Sequence, residues 1–476
     1  MLFYDLDMLD LLIRGGRVID PINRLDAIRD VAIKDGRVVD VAETIERAAR
    51  KTIGASGRIV MPGIIDMHTH MRTLLGHPHA QRMVALAGVC TTLDMAGPLD
   101  NILDSIPESG AGINIAILEA AREGYSLQSN RPLKVEREAL IERTLARGGI
   151  GIKLMGGHFP MDLDICQAFI EDCAATKAWV AWHVGNTQHG SNIEGLRDAV
   201  EVAGDHFLHV AHVNSYCRAQ VSNELVEAEE AIALLKAHPN LFSESYLSPL
   251  NGTRLTIKED RPLSAVTVTC LKKLGYTPNY AGMSAAIHDG KCGVLYDDGV
   301  IGKLLYGAAG VDYWEANDTV TSGSFAVNPA VSRFLLAQAK RDDGSFVVDS
   351  FSTDGGCYPR NVIVENGLLL TAFGALSLTD FVVKASLNGA RALGLPNKGH
   401  LSVGADADVT IIDETARRAT ATIVGGNVVM EEGKLLGRGT TIICDERGEK
   451  ALKAKGIRTI VKAPFEPNQA TKRFVR

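Results

Sequence analysis

The chain has 476 residues, more than one ordinary compact core accommodates, and its 46% hydrophobic and 22% charged content is that of a globular protein, which excludes general disorder. A formal net charge of −7 argues against nucleic acid or an anionic membrane surface as partner. There is no apolar run of about 18 residues to span a bilayer, and the N-terminal MLFYDLDMLDLLIRGG lacks the basic flank of a secretory signal. Eight cysteines without a CxxC pair suggest reduced thiols in a cytoplasmic protein.

The first sixty residues alternate. LLIRGGRVID, DVAIKDGRVVDVA and GRIVMPGIID are short β-branched runs broken by Gly-Gly, Asp-Gly and Ser-Gly turns, the pattern of an antiparallel sheet. The texture returns in DADVTIID and ATIVGGNVVMEEGKLL, so a small β-sandwich domain built from 1–62 and 398–440 is expected. Between them, over 63–397, apolar runs alternate with amphipathic stretches such as LKVEREALIERTLARG and SNELVEAEEAIALLKAHP. GIIDMHTH and the runs at 88–95, 112–118, 149–155, 178–184, 206–213, 240–247 and 345–354 make eight candidate strands. Eight strand–helix repeats predict an α/β fold, a (β/α)8 TIM-type barrel. The stretch 250–345 is too long for one connection and is expected to cover the barrel mouth. Residues 441–476 read as a polar, basic tail, loose or packed on a neighbouring subunit.

Unusual polar residues end these strands. His68 and His70 close the first, with Asp66 on the same face of an alternating strand. Lys153 lies in the fourth, His183 ends the fifth, His212 lies near the end of the sixth, and Asp354 ends the last. In a barrel all strand C-termini meet at one face, so these six groups are expected to converge. Imidazole and carboxylate suit zinc and related divalent ions. An ammonium repels a cation, but burial lowers a lysine's pKa, and a neutral amine can add carbon dioxide to give a carbamate whose two oxygens suit a pair of metals. Each residue alone has a plainer reading: a core histidine, a snorkelling lysine, a turn aspartate before Gly355 and Gly356. All six at one end of successive strands do not.

VMPGIIDMHTH, followed by Lys153, His183, His212 and Asp354, resembles the amidohydrolase superfamily, and LGLPNKGHLSVGADADVTIID resembles the re-entry of those enzymes into their small β domain. A lysine on the fourth strand is similar to the hydantoinase, dihydropyrimidinase and dihydroorotase branch, where it is carboxylated and bridges two metals. The resemblance implies one divalent ion on His68, His70 and Asp354, a second on His183 and His212, and carboxylated Lys153 between them. It further implies Zn2+, with Mn2+ as the other candidate, a small-molecule substrate, and a dimer or tetramer. Two features depart from that branch. The fifth position after Lys153, a tyrosine in hydantoinases, is His158 in KLMGGHFP. The short spacing from His183 to His212, and SESYLSP, are similar to N-acyl-D-amino-acid deacylases. Those deacylases carry a bridging cysteine on the second strand, whereas Cys90 falls early in its strand and reads as core packing.

Near the mouth, Asn214, Tyr216 and Arg218 in HVNSYCR and Arg360 in DGGCYPR are candidate substrate-binding residues, since an arginine fork matches a carboxylate. His189 is another mouth residue, and His77 and His79 belong to the loop after the first strand. The expected reaction is hydrolysis of a C–N amide bond, in a cyclic amide, a ureide or an N-acyl amino acid, by a metal-activated hydroxide. His158 would assist at the carbonyl oxygen and Asp354 would move the proton. Two alternatives stand beside it: a mononuclear heterocycle deaminase using His68, His70, His183 and Asp354, and a non-catalytic structural relative of dihydropyrimidinase.

Overall fold

The computed structural model describes residues 8–71 and 78–475. Its centre is a barrel of parallel strands: β1 (Ile64–His70), β2 (Val89–Ala96), β3 (Ala111–Ala121), β4 (Gly151–Met155), β5 (Trp179–His183), β6 (Leu208–Val210), β7 (Leu241–Tyr246) and β8 (Ser350–Ser352). Each bonds to the next in parallel. The ring closes just past β8, where Gly355–Gly356 pairs with Thr69 and His70 of β1. The strands are covered on both faces; β3, AGINIAILEAA, is buried at every position. Side-chain caps start two of the flanking helices: Asn192 accepts from Gly195 N–H at the head of Ile193–Ala203, and Asn223 accepts from the N–H groups of Leu225 and Val226 at the head of Glu224–Ala237.

All eight expected strands are present, in the expected order, as a TIM-type barrel. The sixth and eighth are shorter than the apolar runs suggest. His212 (φ 35°) and Asp354 (φ 48°) are left-handed, so each strand stops before reaching its polar residue.

The two chain ends form one sheet. Val409–Asp413 pairs antiparallel with Ile59–Pro62, joining the N-terminal strands Leu9–Asp20, Leu25–Lys34 and Arg37–Ala42 to Arg418–Val424, Asn427–Glu431 and Lys434–Leu435. Ile13, Val31 and Val60 share a core with Val409, Ile411 and Ile423. Cys90 is buried where β2 meets this sheet, with Sγ beside the carbonyls of Val409 and Ile423, so it packs core and lies away from the rim.

Residues 250–338 are a built subdomain. Leu250–Arg254, Ser322–Ala326, Cys292–Asp297 and Gly302–Leu305 form an antiparallel sheet in that order, around a core containing Leu255, Met283, Trp314 and Phe325. It docks on the loops at the rim: Asn251 and Asn328 reach Arg218, and Asp297 lies 3.2 Å from His79 Nε2. His77 lies outside the described residues.

The C-terminal stretch is not loose. Gly439–Cys444 bonds in parallel to β3, and Arg458–Val461 bonds to that strand across the helix Glu446–Ala454. Phe465 packs on Trp179 and Phe207 at ring centroid distances of 5.5 and 4.9 Å, and Arg473 Nε lies 2.6 Å from Asp349 Oδ1. These contacts seal the N-terminal end of the barrel with the chain's own residues. Among the described residues, no helix is long and apolar enough to cross a membrane.

Candidate metal centre

At the C-terminal rim, His68, His70 and Asp354 offer ligand atoms that all lie within 4.8 Å of one another. Asp354 Oδ1 is 3.0 Å from His70 Nε2 and 3.4 Å from His68 Nε2. Arg360 grips the other side: Nη2 lies 2.8 Å from Asp354 Oδ2, and Nε donates to the Asp354 carbonyl at 2.6 Å. Burial pushes the Asp354 carboxyl up, but Arg360 and the two imidazoles outweigh it and hold the group well below the usual carboxylate range.

A second group adjoins the first. The His212 ring stacks on His68 with centroids 5.0 Å apart, and His212 Nε2 lies 3.0 Å from His183 Nδ1. Lys153 is 1% exposed and points into the barrel, with Nζ 3.5 Å from Met95 Sδ. Burial lowers its pKa, with Glu244 and Asp354 pulling partly the other way. Burial likewise holds His68, His183 and His212 far below the ordinary imidazole value, so these rings are neutral and can donate a lone pair. His212 Nδ1 is buried with no hydrogen-bond partner. Neutral imidazoles, an ionised carboxylate and an orphaned buried nitrogen form a donor set that fits divalent cations.

Glycines make this packing possible. At the exit of β4, a Cβ on Gly157 would stand 1.9 Å from His183 Nε2, and past β8 a Cβ on Gly356 would stand 2.5 Å from the His70 carbonyl oxygen.

One buried residue of the site was missed in the sequence. Glu244, fully buried on β7, has Oε1 2.6 Å from His68 Nδ1 and accepts the His212 N–H on the same oxygen at 2.6 Å. The Ser352 hydroxyl donates to Oε2. The available signal was a carboxylate inside the apolar run NLFSESYL, where burial demands partners.

The remaining candidates divide. His158 stands at the rim, its ring centroid 5.2 Å from that of His183. Arg218 is 8% exposed, and its guanidinium donates to Asn328 Oδ1, Ser215 Oγ, the Tyr246 hydroxyl and Asn251 Oδ1, all neutral; among the described residues no carboxylate pairs with it. Asn214 Oδ1 accepts from Ser245 and Tyr246, while its Nδ2 is buried without a partner. Tyr216 differs from the expected mouth residue: it is fully buried, its hydroxyl donating to the Ala211 carbonyl and accepting from Val184 N. Arg360, expected as a substrate clamp, is committed to Asp354. His189 is oriented by Asp198, 2.7 Å away. Asp66, on the ligand face of β1 in the sequence, instead accepts hydrogen bonds from Thr353.

Residues 59–429 match the amidohydrolase family, and the chain belongs to that family, a hydrolase acting on non-peptide C–N bonds. Dihydroorotase from Pelotomaculum thermopropionicum is 26% identical over 483 residues, covering 89% of this chain and 99% of that protein. N-acyl-D-glutamate deacylase from Bordetella bronchiseptica, solved with zinc and a phosphonate inhibitor, shares the fold with a TM-score of 0.64 at 15% identity, over 91% of this chain and 99% of that one. A D-hydantoinase shares it with a TM-score of 0.59 at 16% identity, over 96% and 100%.

Proposed function

We propose that the protein hydrolyses the C–N bond of a small amide bearing a carboxylate, a cyclic ureide or an N-acyl amino acid, with two divalent ions at the barrel rim. The observation that carries this reading is the convergence of His68, His70 and Asp354, with His183, His212 and buried Lys153 alongside. His68, His70 and Asp354 would hold one ion, His183 and His212 the other, and carboxylated Lys153 would link them. The nitrogen and oxygen donors suit zinc, the metal in the Bordetella deacylase complex, and also manganese. Such ions supply Lewis acidity and a hydroxide nucleophile at neutral pH.

The chain's own groups do the rest. Asp354, kept anionic by Arg360, takes the nucleophile's proton and returns it to the leaving nitrogen. His158, at the rim beside His183, donates to the substrate carbonyl oxygen. Arg218 is a buried cation with no counter-ion among the described residues, an expensive arrangement that an anionic substrate group completes, with Asn214 Nδ2 as a further donor. The eight buried cysteines form no disulfide among the described residues, which supports a cytoplasmic setting.

A mononuclear centre is the second reading. It is favoured by one observation: among the described residues, only the first trio forms a three-ligand cluster, while Lys153 rests against Met95. The test is a screen of zinc- and manganese-loaded protein against hydantoins, dihydropyrimidines and N-acyl amino acids. Turnover that is abolished by chelator, restored by metal, and weakened at least about tenfold in KM by Arg218→Leu is expected, since a charged hydrogen bond is worth about 1.5–3 kcal/mol. Undiminished turnover under chelation contradicts the proposal.

A further inference from the structure

We infer that Glu244 is a positioning residue that couples the two ion sites, so that neither can be tuned without the other. The inference rests on the binuclear reading above and concerns a residue outside the proposed ligand set. One oxygen, Glu244 Oε1, faces His68 Nδ1 and the His212 N–H, each at 2.6 Å. His68 belongs to the first site and His212 to the second. The His68 contact places that ring's proton on Nδ1 and leaves Nε2, the atom nearer Asp354, as the ligand lone pair. The His212 contact holds a residue with φ of 35°, a conformation that needs an outside anchor.

The surroundings of Glu244 are built for this use. Its other oxygen is taken by the Ser352 hydroxyl, two residues before Asp354. Beneath it, His209 is level with Lys153 in the barrel register and wholly buried, with both ring nitrogens unbonded and Nε2 3.8 Å from Oε1. Among the described residues no arginine or lysine lies within ion-pair distance of Glu244, although buried Lys153 interacts with it electrostatically, so the close contacts of Oε1 are those to the two ligand residues.

The experiment is cobalt(II) titration of the metal-free chain, followed by visible absorption and chelator competition, on wild type, Glu244→Leu and Glu244→Gln. Leucine removes both acceptors at similar volume; glutamine keeps one neutral acceptor oxygen. The expected result is a loss of affinity at both sites in Glu244→Leu, about 10–100-fold, with altered cobalt bands, and partial recovery in Glu244→Gln. His183→Ala serves as control, weakening the second site alone. If Glu244→Leu does not fold, judged by circular dichroism, the glutamine variant decides through a smaller loss at both sites. Wild-type affinity at either site in the leucine variant, or at either site in the glutamine variant when it alone folds, overturns the coupling. Failure of wild type itself to bind cobalt overturns the metal reading instead.

Discussion

Asp66 on β1 accepts the Thr353 hydroxyl at 2.5 Å and the Thr353 N–H at 3.1 Å. The same carboxylate accepts the His68 N–H at 3.1 Å. This buried group ties the end of β8 to the strand carrying His68 and His70, and so delivers Asp354 to them. Asp66→Ala takes this acceptor from the buried N–H groups of Thr353 and His68 and leaves the Thr353 hydroxyl only its longer bond to Asn361 Oδ1, at 3.4 Å. Destabilisation of about 3 kcal/mol or more is expected, read as a fall in the urea midpoint, together with weaker binding at the first ion site.

Arg360 should be irreplaceable by lysine. It donates to the Asp354 side chain and main chain from one planar fork, and an ammonium cannot reproduce that geometry. Arg360→Lys should weaken zinc binding by about 10–100-fold, measured by competition with a chromogenic chelator. Retention of wild-type affinity would show that Asp354 needs no such clamp.

Much of this arrangement was legible in the sequence. Histidines, a lysine and an aspartate at the ends of apolar runs marked the residues that meet at the rim, because a buried strand carries such groups only where they find partners. What escaped depended on partners far away in the chain. Glu244 stands in mid-run, and its partners lie on β1 and beyond β6. Arg360 reads as a clamp until Asp354 is seen beside it. Tyr216 reads as a mouth residue, yet its hydroxyl bonds backbone groups inside the barrel wall. Gly157 looks like a turn glycine, although the reason for it is the His183 ring across the strand exit. The C-terminal strands were hidden because TTIIC and IRTIV are short and lie among charged residues; pairing with the edge of β3 decides their state.

That C-terminal segment should contribute directly to stability. Phe465 is 7% exposed among Trp179 and Phe207. Phe465→Ala is expected to cost about 3–5 kcal/mol, seen as a lowered melting temperature. A change within error would mean the barrel's lower end is sealed without it.

If Lys153 is carboxylated as proposed, assembly of the centre should depend on pH. Burial lowers its pKa, and carbamate formation consumes the neutral amine, so the competent fraction rises with pH. Zinc reconstitution of metal-free protein should be faster at pH 8.5 than at pH 6.5 and should respond to added bicarbonate. In Lys153→Met the bicarbonate response should vanish. A rate independent of both pH and bicarbonate would contradict an amine that captures carbon dioxide.

Metal content per chain tests the central claim most directly. Protein produced with zinc and 13C-bicarbonate should contain two ions per chain by elemental analysis and a carbamate carbon resonance that Lys153→Met abolishes. A chain that takes up no ion under these conditions, while folded, would contradict the account.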